Sequence, residues 1–489
     1  MIHTLKVTLK QHTPLIHFQH DQDGATLRAS EVKPKLDRFI LTQLGKQECE
    51  TLPDDDFEKV LDAYEKSHPG FVYNDKDVSF APILYYEIGK YVAKQNGWLV
   101  GKGEHPSLDY KVKFQANNRV PAITLQSQAR MNNRGETKYY SFWRDPSDNH
   151  DKDFPLLLSN MGGKDREEQL FNFSYYQSVT ALFFVSAPEL LGWIQNCVSD
   201  FFANQNFGQR SDKGFGSFSV TPINDNNCPF PDMPNICYLE LNEQSTQTVD
   251  FQAKIFNTID FYWKCLKSGV NYTHNGQRSN RYIKAFVWTY LNSRNNTWEK
   301  RIVKTTFGLI TGREVQENNN PASFARAILG CPDKFEYRNM HRTVAIRHSA
   351  DPMDPDFIAR IPSPVVFKPI VNGNVTRIYI IPNEELLYCL RQQENLQFVF
   401  TCDTATLPMT VNPSVFSSIR HLLSCYHQHI ANANFGRMAF ERNGEYERFL
   451  QQQEEFFSRH NFENNHCWFF PLDFGWRKLT SRPVLIKRG

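Results

Sequence analysis

Residues 3–10, HTLKVTLK, alternate apolar and polar side chains and predict a strand with one buried face. Thr13-Pro14 breaks the alternation, LIHF (15–18) continues it briefly, and DQDG (21–24) is turn-prone. The period then changes. Val32, Leu36, Phe39, Ile40 and Leu44 recur at helical spacing, predicting a helix over 31–44 with Ser30 as N-cap and Gly45 as its stop. Lys33, Lys35 and Arg38 lie off that apolar stripe. Further helices are predicted near 55–66 and 81–95. YKVKFQ (110–115) and AITLQSQA (122–129) predict strands, with loops at 130–138 and 144–153. FSYYQSVTALFFV (173–185) predicts a strand. PELLGWIQNCVSDFFA (188–203) predicts a helix entered through Pro188, and GSFSVTPI (216–223) another strand.

The stretch 224–235, rich in Pro and Asn, marks a domain boundary. Beyond it ICYLELNE reads as a strand, 252–268 and 280–292 as helical regions, and 312–323 as a polar loop. SPVVFKPI (363–370) and TRIYIIP (376–382) read as a hairpin turned by VNGN, and 396–403 as another strand. Helices over 413–431 and 444–459 and a last strand in SRPVLIKR complete the pattern. The order strand–helix–strands–strand–helix–loop–strand fits an α+β fold. It reads as two ferredoxin-like (RRM-like) domains in tandem with insertions, over 1–224 and 236–489.

Between the helix at 188–203 and the following strand lies ANQNFGQRSDKGFGSFSV (203–220). Its first six residues return as ANANFG at 431–436, 228 positions later (431 − 203 = 228). In both places a strand (173–185; 396–403) and a Pro-started helix come first, which argues for duplication. The first copy joins Gly208, Gly214 and Gly216 to Gln209, Arg210 and Lys213. Glycines let backbone approach a phosphate chain, and the side chains can meet it. Phe207 or Phe215 could stack on a base, although core packing is the better expectation for each. The spacing of Gly208 and Gly214 departs from a nucleotide-triphosphate loop, with Phe215 where its Lys belongs. The helix–loop–strand order is the reverse of a dinucleotide fold. No cofactor is expected.

Composition sharpens this picture. The 489 residues are 40% hydrophobic, enough for more than one core. Net charge is only +2, so any nucleic-acid footprint must come from local clusters. One such cluster is 101–144, with eight Lys or Arg against three acids; Arg278–Lys304 and the stretch 477–488 are also basic. None of the ten cysteines forms a C-x-x-C pair, so no zinc ribbon or finger is expected, and reduced, mostly buried thiols in a cytoplasmic protein are. No signal peptide or membrane span is expected either.

GQRSDKGFGSFSV resembles the G-x-x-x-x-K-G-x-G loop of the RAMP superfamily of CRISPR-associated proteins. TPLIHFQHDQDGATLRASEVKPKLDRF resembles the front of type III members, where "TPL" precedes a basic first helix. Here Pro34 replaces that family's Gly. RIPSPVVFKPI (360–370) is similar to the R-x-x-S-P-x-x-x-K strand of the first Cmr subunit of type III-B effector complexes. The resemblance implies a non-catalytic, two-domain RNA-binding subunit acting in antiviral defence. It would hold the 3′ part of the guide RNA, help capture target RNA, and contact other RAMP subunits. The RNA-contacting residues implied are Lys33, Lys35, Arg38, Gln209, Arg210, Lys213, Gly214, Phe215 and Gly216. The alternative is a metal-independent RAMP endoribonuclease that matures CRISPR transcripts. For that, His17 or His20, from a cluster that also holds His3 and His12, would act as general base.

Overall fold

The computed structural model describes residues 2–16, 26–50, 57–71, 73, 80–101, 106–119, 123–131, 137–145, 148–153, 171–173, 175–221, 229–233, 236–242, 249–274, 277–283, 285–294, 296–309, 322–331, 334–337, 342–349, 361–393, 396–431 and 485–486. It mixes helices with several small antiparallel sheets.

The first sheet contains β1 (His3–Gln11), β2 (Tyr110–Arg119), β3 (Tyr176–Val185) and β4 (Phe218–Val220), in spatial order β4-β1-β3-β2. Every neighbouring pair is antiparallel. The alternation read in HTLKVTLK is realised. Val7 and Leu9 join Val112, Val179, Ala181 and Phe183 in one core, covered by α1 (Ala29–Glu48) and α4 (Pro188–Asn204), between which the chain forms α2 (Phe57–Ser67) and α3 (Ala81–Gln95). Burying such a side chain contributes roughly 1.5–3 kcal/mol, so this face fixes the strand register.

The second sheet contains β5 (Cys237–Asn242), β6 (Val365–Asn372), β7 (Val375–Pro382) and β8 (Leu485–Ile486), in order β6-β7-β5-β8, again all antiparallel. Read from its last strand, each sheet runs last, first, third, second. The predicted hairpin closes with the two-residue loop Gly373-Asn374, where Gly373 has φ +55°. A six-stranded sheet, in the order 297–298, 322–323, 405–410, 397–402, 342–348, 334–337, has its first two pairings parallel and the rest antiparallel, and its Val344, Phe398 and Phe400 share a core with Leu239 and Ile378 of the second sheet. A separate four-stranded sheet is built from 123–131, 137–145, 148–153 and 171–173.

Several expectations are corrected. Asp148–Asp153 is a strand paired with 137–145, not a loop, because backbone pairing overrides its polar composition. The region 280–292 divides into a strand ending at Ile283 and a helix, Phe286–Asn292. The strand at 397–402 belongs to the six-stranded sheet, so the place equivalent to β3 is taken by β7, 22 positions earlier at its start (397 − 375 = 22). Residues 432–436 of the second ANxNFG segment and the helix expected at 444–459 lie outside the described residues.

The first helix is also longer than predicted. It starts after Arg28, takes in Ser30, and runs through Gly45 to Glu48. Gly45 is an interhelical contact, not a stop. A Cβ there would lie 1.8 Å from the Tyr85 carbonyl oxygen of α3 (Ala81–Gln95), and one on Gly89 would lie 1.8 Å from that of Leu41. The two glycines let α1 and α3 touch backbone to backbone, which offsets the roughly 1 kcal/mol each costs as a helix residue.

Candidate RNA interface

The loop after α4 is held by hydrogen bonds to its surroundings. Gly208 N–H donates to Glu31 Oε1 at 2.7 Å, and Gln209 N–H to the Ile16 carbonyl at 2.8 Å. Gly216 N–H donates to the Pro14 carbonyl at 2.8 Å, and Phe207 N–H to the Gly216 carbonyl at 3.0 Å. The Thr13 hydroxyl donates to the Gly214 carbonyl at 2.6 Å and accepts Ser217 N–H at 3.0 Å. The Thr13-Pro14-Leu15 turn is therefore the clamp of the glycine-rich loop.

The glycines are needed for protein contact. Gly216 has φ +63°, and a Cβ there would fall 1.9 Å from the Phe207 carbonyl oxygen. Gly214 has φ +91° and packs against Ile259 of α5 (Val249–Lys267) and Pro369 of β6. Several loop amides that were expected to face phosphate are donated within the protein instead.

The far side of the loop meets β6, the edge strand of the second sheet. An exposed edge presents unpaired backbone groups. Here first-half side chains satisfy them. Asn206 Nδ2 donates to the Phe367 carbonyl at 2.7 Å, Ser217 Oγ to Pro369 at 2.6 Å, and Lys10 Nζ to Val371 at 3.1 Å. Val371 N–H donates to His12 Nδ1 at 3.0 Å. Pro369 has no N–H to satisfy, which suits an edge. In return Lys368, fully buried, donates to the carbonyls of Gln205 (2.8 Å) and Phe218 (2.7 Å), on either side of the loop.

His12 is buried in this junction. Its Nδ1 accepts, so Nε2 carries the proton and faces Ser219 Oγ at 2.5 Å. Burial, with Lys368 and Lys10 nearby, pushes its pKa well below the ordinary 6.5. Below about pH 6.5 the unfolded chain takes up a proton that the folded chain resists. The unfolded state then binds more protons, so stability falls with falling pH, by about 1.4 kcal/mol per unit until the folded pKa is reached. Urea melts at pH 7 and pH 5 should show this loss, and His12→Gln should reduce it.

The three implied RNA-contacting residues on α1 go different ways. Lys33 is consumed locally. It donates to Asp37 (2.7 Å), the Leu108 carbonyl (2.9 Å) and Ser107, and its ammonium lies 4.3 Å from the Tyr110 ring centroid. Arg38 leaves the loop, pairing with Glu385 on the helix Glu384–Arg391 and lying over Tyr86. Lys35 is the one of the three at the loop. It reaches Glu31 Oε1, the oxygen that accepts Gly208 N–H, at 3.4 Å and lies 5.2 Å from the Phe207 ring centroid.

Gln209 is exposed and Arg210 half-buried, with Arg210 in the left-handed region at φ +57°. Lys213 pairs with Asp212 at 2.9 Å and lies over Trp263 of α5 at 4.6 Å. Lys267 shares that indole at 5.8 Å, and burial together with Lys213 and Arg326 brings its ammonium down to about 7. Phe215 has no face for a base. It is fully buried and stacks on Phe256 of α5, with centroids 3.9 Å apart and planes 10° apart.

Sequence reasoning missed His12, Asn206, Ser217 and Lys368 as one constellation. The signal was present as three separate segments, the TPL turn, the glycine loop and the S-P strand ending in Lys368. The fold brings all three together. Of the histidine cluster, His17 and His20 lie outside the described residues.

The family model of the Cmr1 N-terminal domain matches residues 2–270, and that of the Cmr1 C-terminal domain matches residues 282–435. The chain belongs to the Cmr1 family of CRISPR-associated proteins. These domains point to a subunit of the multi-subunit type III-B Cmr complex. No curated protein matches the chain. Among the described residues, no helix is long and apolar enough to cross a membrane.

Proposed function

We propose that the chain is a non-catalytic, cytoplasmic RNA-binding subunit of a type III-B ribonucleoprotein in antiviral defence, built from two ferredoxin-like domains in tandem. It holds the 3′ part of the guide RNA, helps capture target RNA and docks with other RAMP subunits. The observation that carries this reading is the convergence of the TPL turn, the glycine loop and the S-P strand on one junction, with Lys35, Gln209 and Arg210 along its rim. The last–first–third–second strand order, found twice, supports the two-domain part. His12, buried and donating to Ser219, is not placed to act as a base on RNA.

The loop then serves RNA through side chains, with its backbone committed to the fold. Replacing Lys35 and Arg210 together by alanine should weaken the binding of single-stranded RNA by the full chain about tenfold. Counterion release should also lower the slope of log affinity against log salt by about 1.4. Fluorescence anisotropy over a salt series measures both. Unchanged affinity and slope would exclude the rim as an RNA contact.

A further inference from the structure

The first sheet has a second face. Its cross-strand rungs place Thr4, Phe184 and Lys111 side by side, then Lys6, Leu182 and Lys113, then Thr8, Thr180 and Gln115. The intervening residues point the other way, into the core under α1 and α4. On the outer face Lys6, Lys111, Lys113 and Gln115 are exposed. Phe184 is 38% exposed, and it, Ile2 and Val100 are the exposed large hydrophobics among the described residues. These three rungs carry three lysines and no carboxylate. The nearest acid along β2 is Asp109, beyond Lys111, which accepts a hydrogen bond from Ser186 at 3.1 Å.

Phe184 stands near the end of β3, an inner strand, between Thr4 and Lys111, with Lys6 and Lys113 one rung further on. Alternation leaves no steric reason for an outward ring there, since the core is already filled from the opposite side. Side chains two apart along a strand recur about every 7 Å, and neighbouring strands lie about 4.8 Å apart. Lys6 and Lys113 therefore flank Leu182 one step from the Phe184 ring, and Lys111 lies beside that ring. Single-stranded nucleic acids bind where cations follow the backbone and an aromatic side chain accepts a base. A protein partner would need acids against the lysines and an apolar patch larger than two side chains; a polyanion with stacking bases matches both features at once.

We propose that this outer face binds single-stranded RNA, with a base stacked on Phe184 and phosphates against Lys6, Lys111 and Lys113. The inference rests on the reading that the chain meets RNA, but it places the contact on a different surface from the loop rim. Because stacking accepts any base, the contact is indifferent to sequence.

The test is fluorescence anisotropy of the full chain with a labelled oligouridine across a salt series. Phe184→Ala should weaken binding about tenfold with the salt slope unchanged. The triple change of Lys6, Lys111 and Lys113 to alanine should lower the slope by about 2, at 0.7 per phosphate. All four positions are exposed, so thermal melts of these variants should match the parent. If the face variants bind like the parent while the Lys35 and Arg210 variant is weakened, the face is not an RNA site and the loop reading stands. If the face variants keep RNA affinity but lose co-purifying subunits, the face docks protein and the inference is overturned. If the parent chain binds no oligouridine, both readings fall.

Discussion

Phe215→Ala is expected to destabilise the protein by about 3–5 kcal/mol, the range for emptying a buried phenyl site. The ring comes from a loop of the first half, yet it packs in the core of the second, with Phe256, Ile259 and Tyr262. Its parallel stack on Phe256 is the contact most specific to the ring. The neighbouring glycines cannot collapse into the hole without moving the Thr13 clamp, so the cavity should persist. Phe215→Leu should lose only about 1–2 kcal/mol, because it retains most of the buried area. Equilibrium urea unfolding measures both. RNA affinity per folded molecule should be unchanged in the leucine variant. A selective loss of RNA binding without a stability loss would mean that the ring leaves the core to meet a base.

Lys368→Met should cost about 2–4 kcal/mol. Methionine keeps the apolar stem but leaves the carbonyls of Gln205 and Phe218 without this donor, each worth about 1–3 kcal/mol when buried and unmade. Lys368→Arg should not rescue, since a planar guanidinium does not fit a site built for a compact ammonium. A second consequence separates this role from simple packing. Without the nearby cation, His12 should titrate closer to its ordinary value, so the acid sensitivity of the Lys368→Met variant should be shallower than that of the parent. Urea melts across pH in both backgrounds give the comparison, and a loss below about 0.5 kcal/mol would remove Lys368 from the junction's energetics.

The periodic elements were legible in the sequence because their apolar spacing reports burial directly. β1, α4 and the β6–β7 hairpin follow from pattern and turn chemistry alone. Gly45 was misleading because glycine ends helices and also lets helices touch, and only the position of Tyr85 decides between them. The polar strand Asp148–Asp153 was invisible because its pairing partner supplies what its composition lacks. At the candidate site, residue types were legible but their assignments were not. Lys33 and Lys35 look alike in sequence. One is enclosed by Asp37, Ser107 and Tyr110, and the other reaches the loop; that difference depends on strand residues more than 70 positions away. Lys368 was readable as part of a motif, but its action on Gln205 and Phe218 is a long-range fact.

The interlocked edge has a consequence for the order in which a ribosome makes the protein. The first sheet closes when β4 emerges at Phe218–Val220. At that moment Phe215 still lacks Phe256, 41 residues downstream (256 − 215 = 41), and the Phe218 carbonyl lacks Lys368, 150 residues downstream. At typical elongation rates the wait for Lys368 is roughly 8–30 s. Until Phe256 is made the nascent first half carries an uncovered phenyl ring, and until Lys368 is made the Gln205 and Phe218 carbonyls wait for their donor.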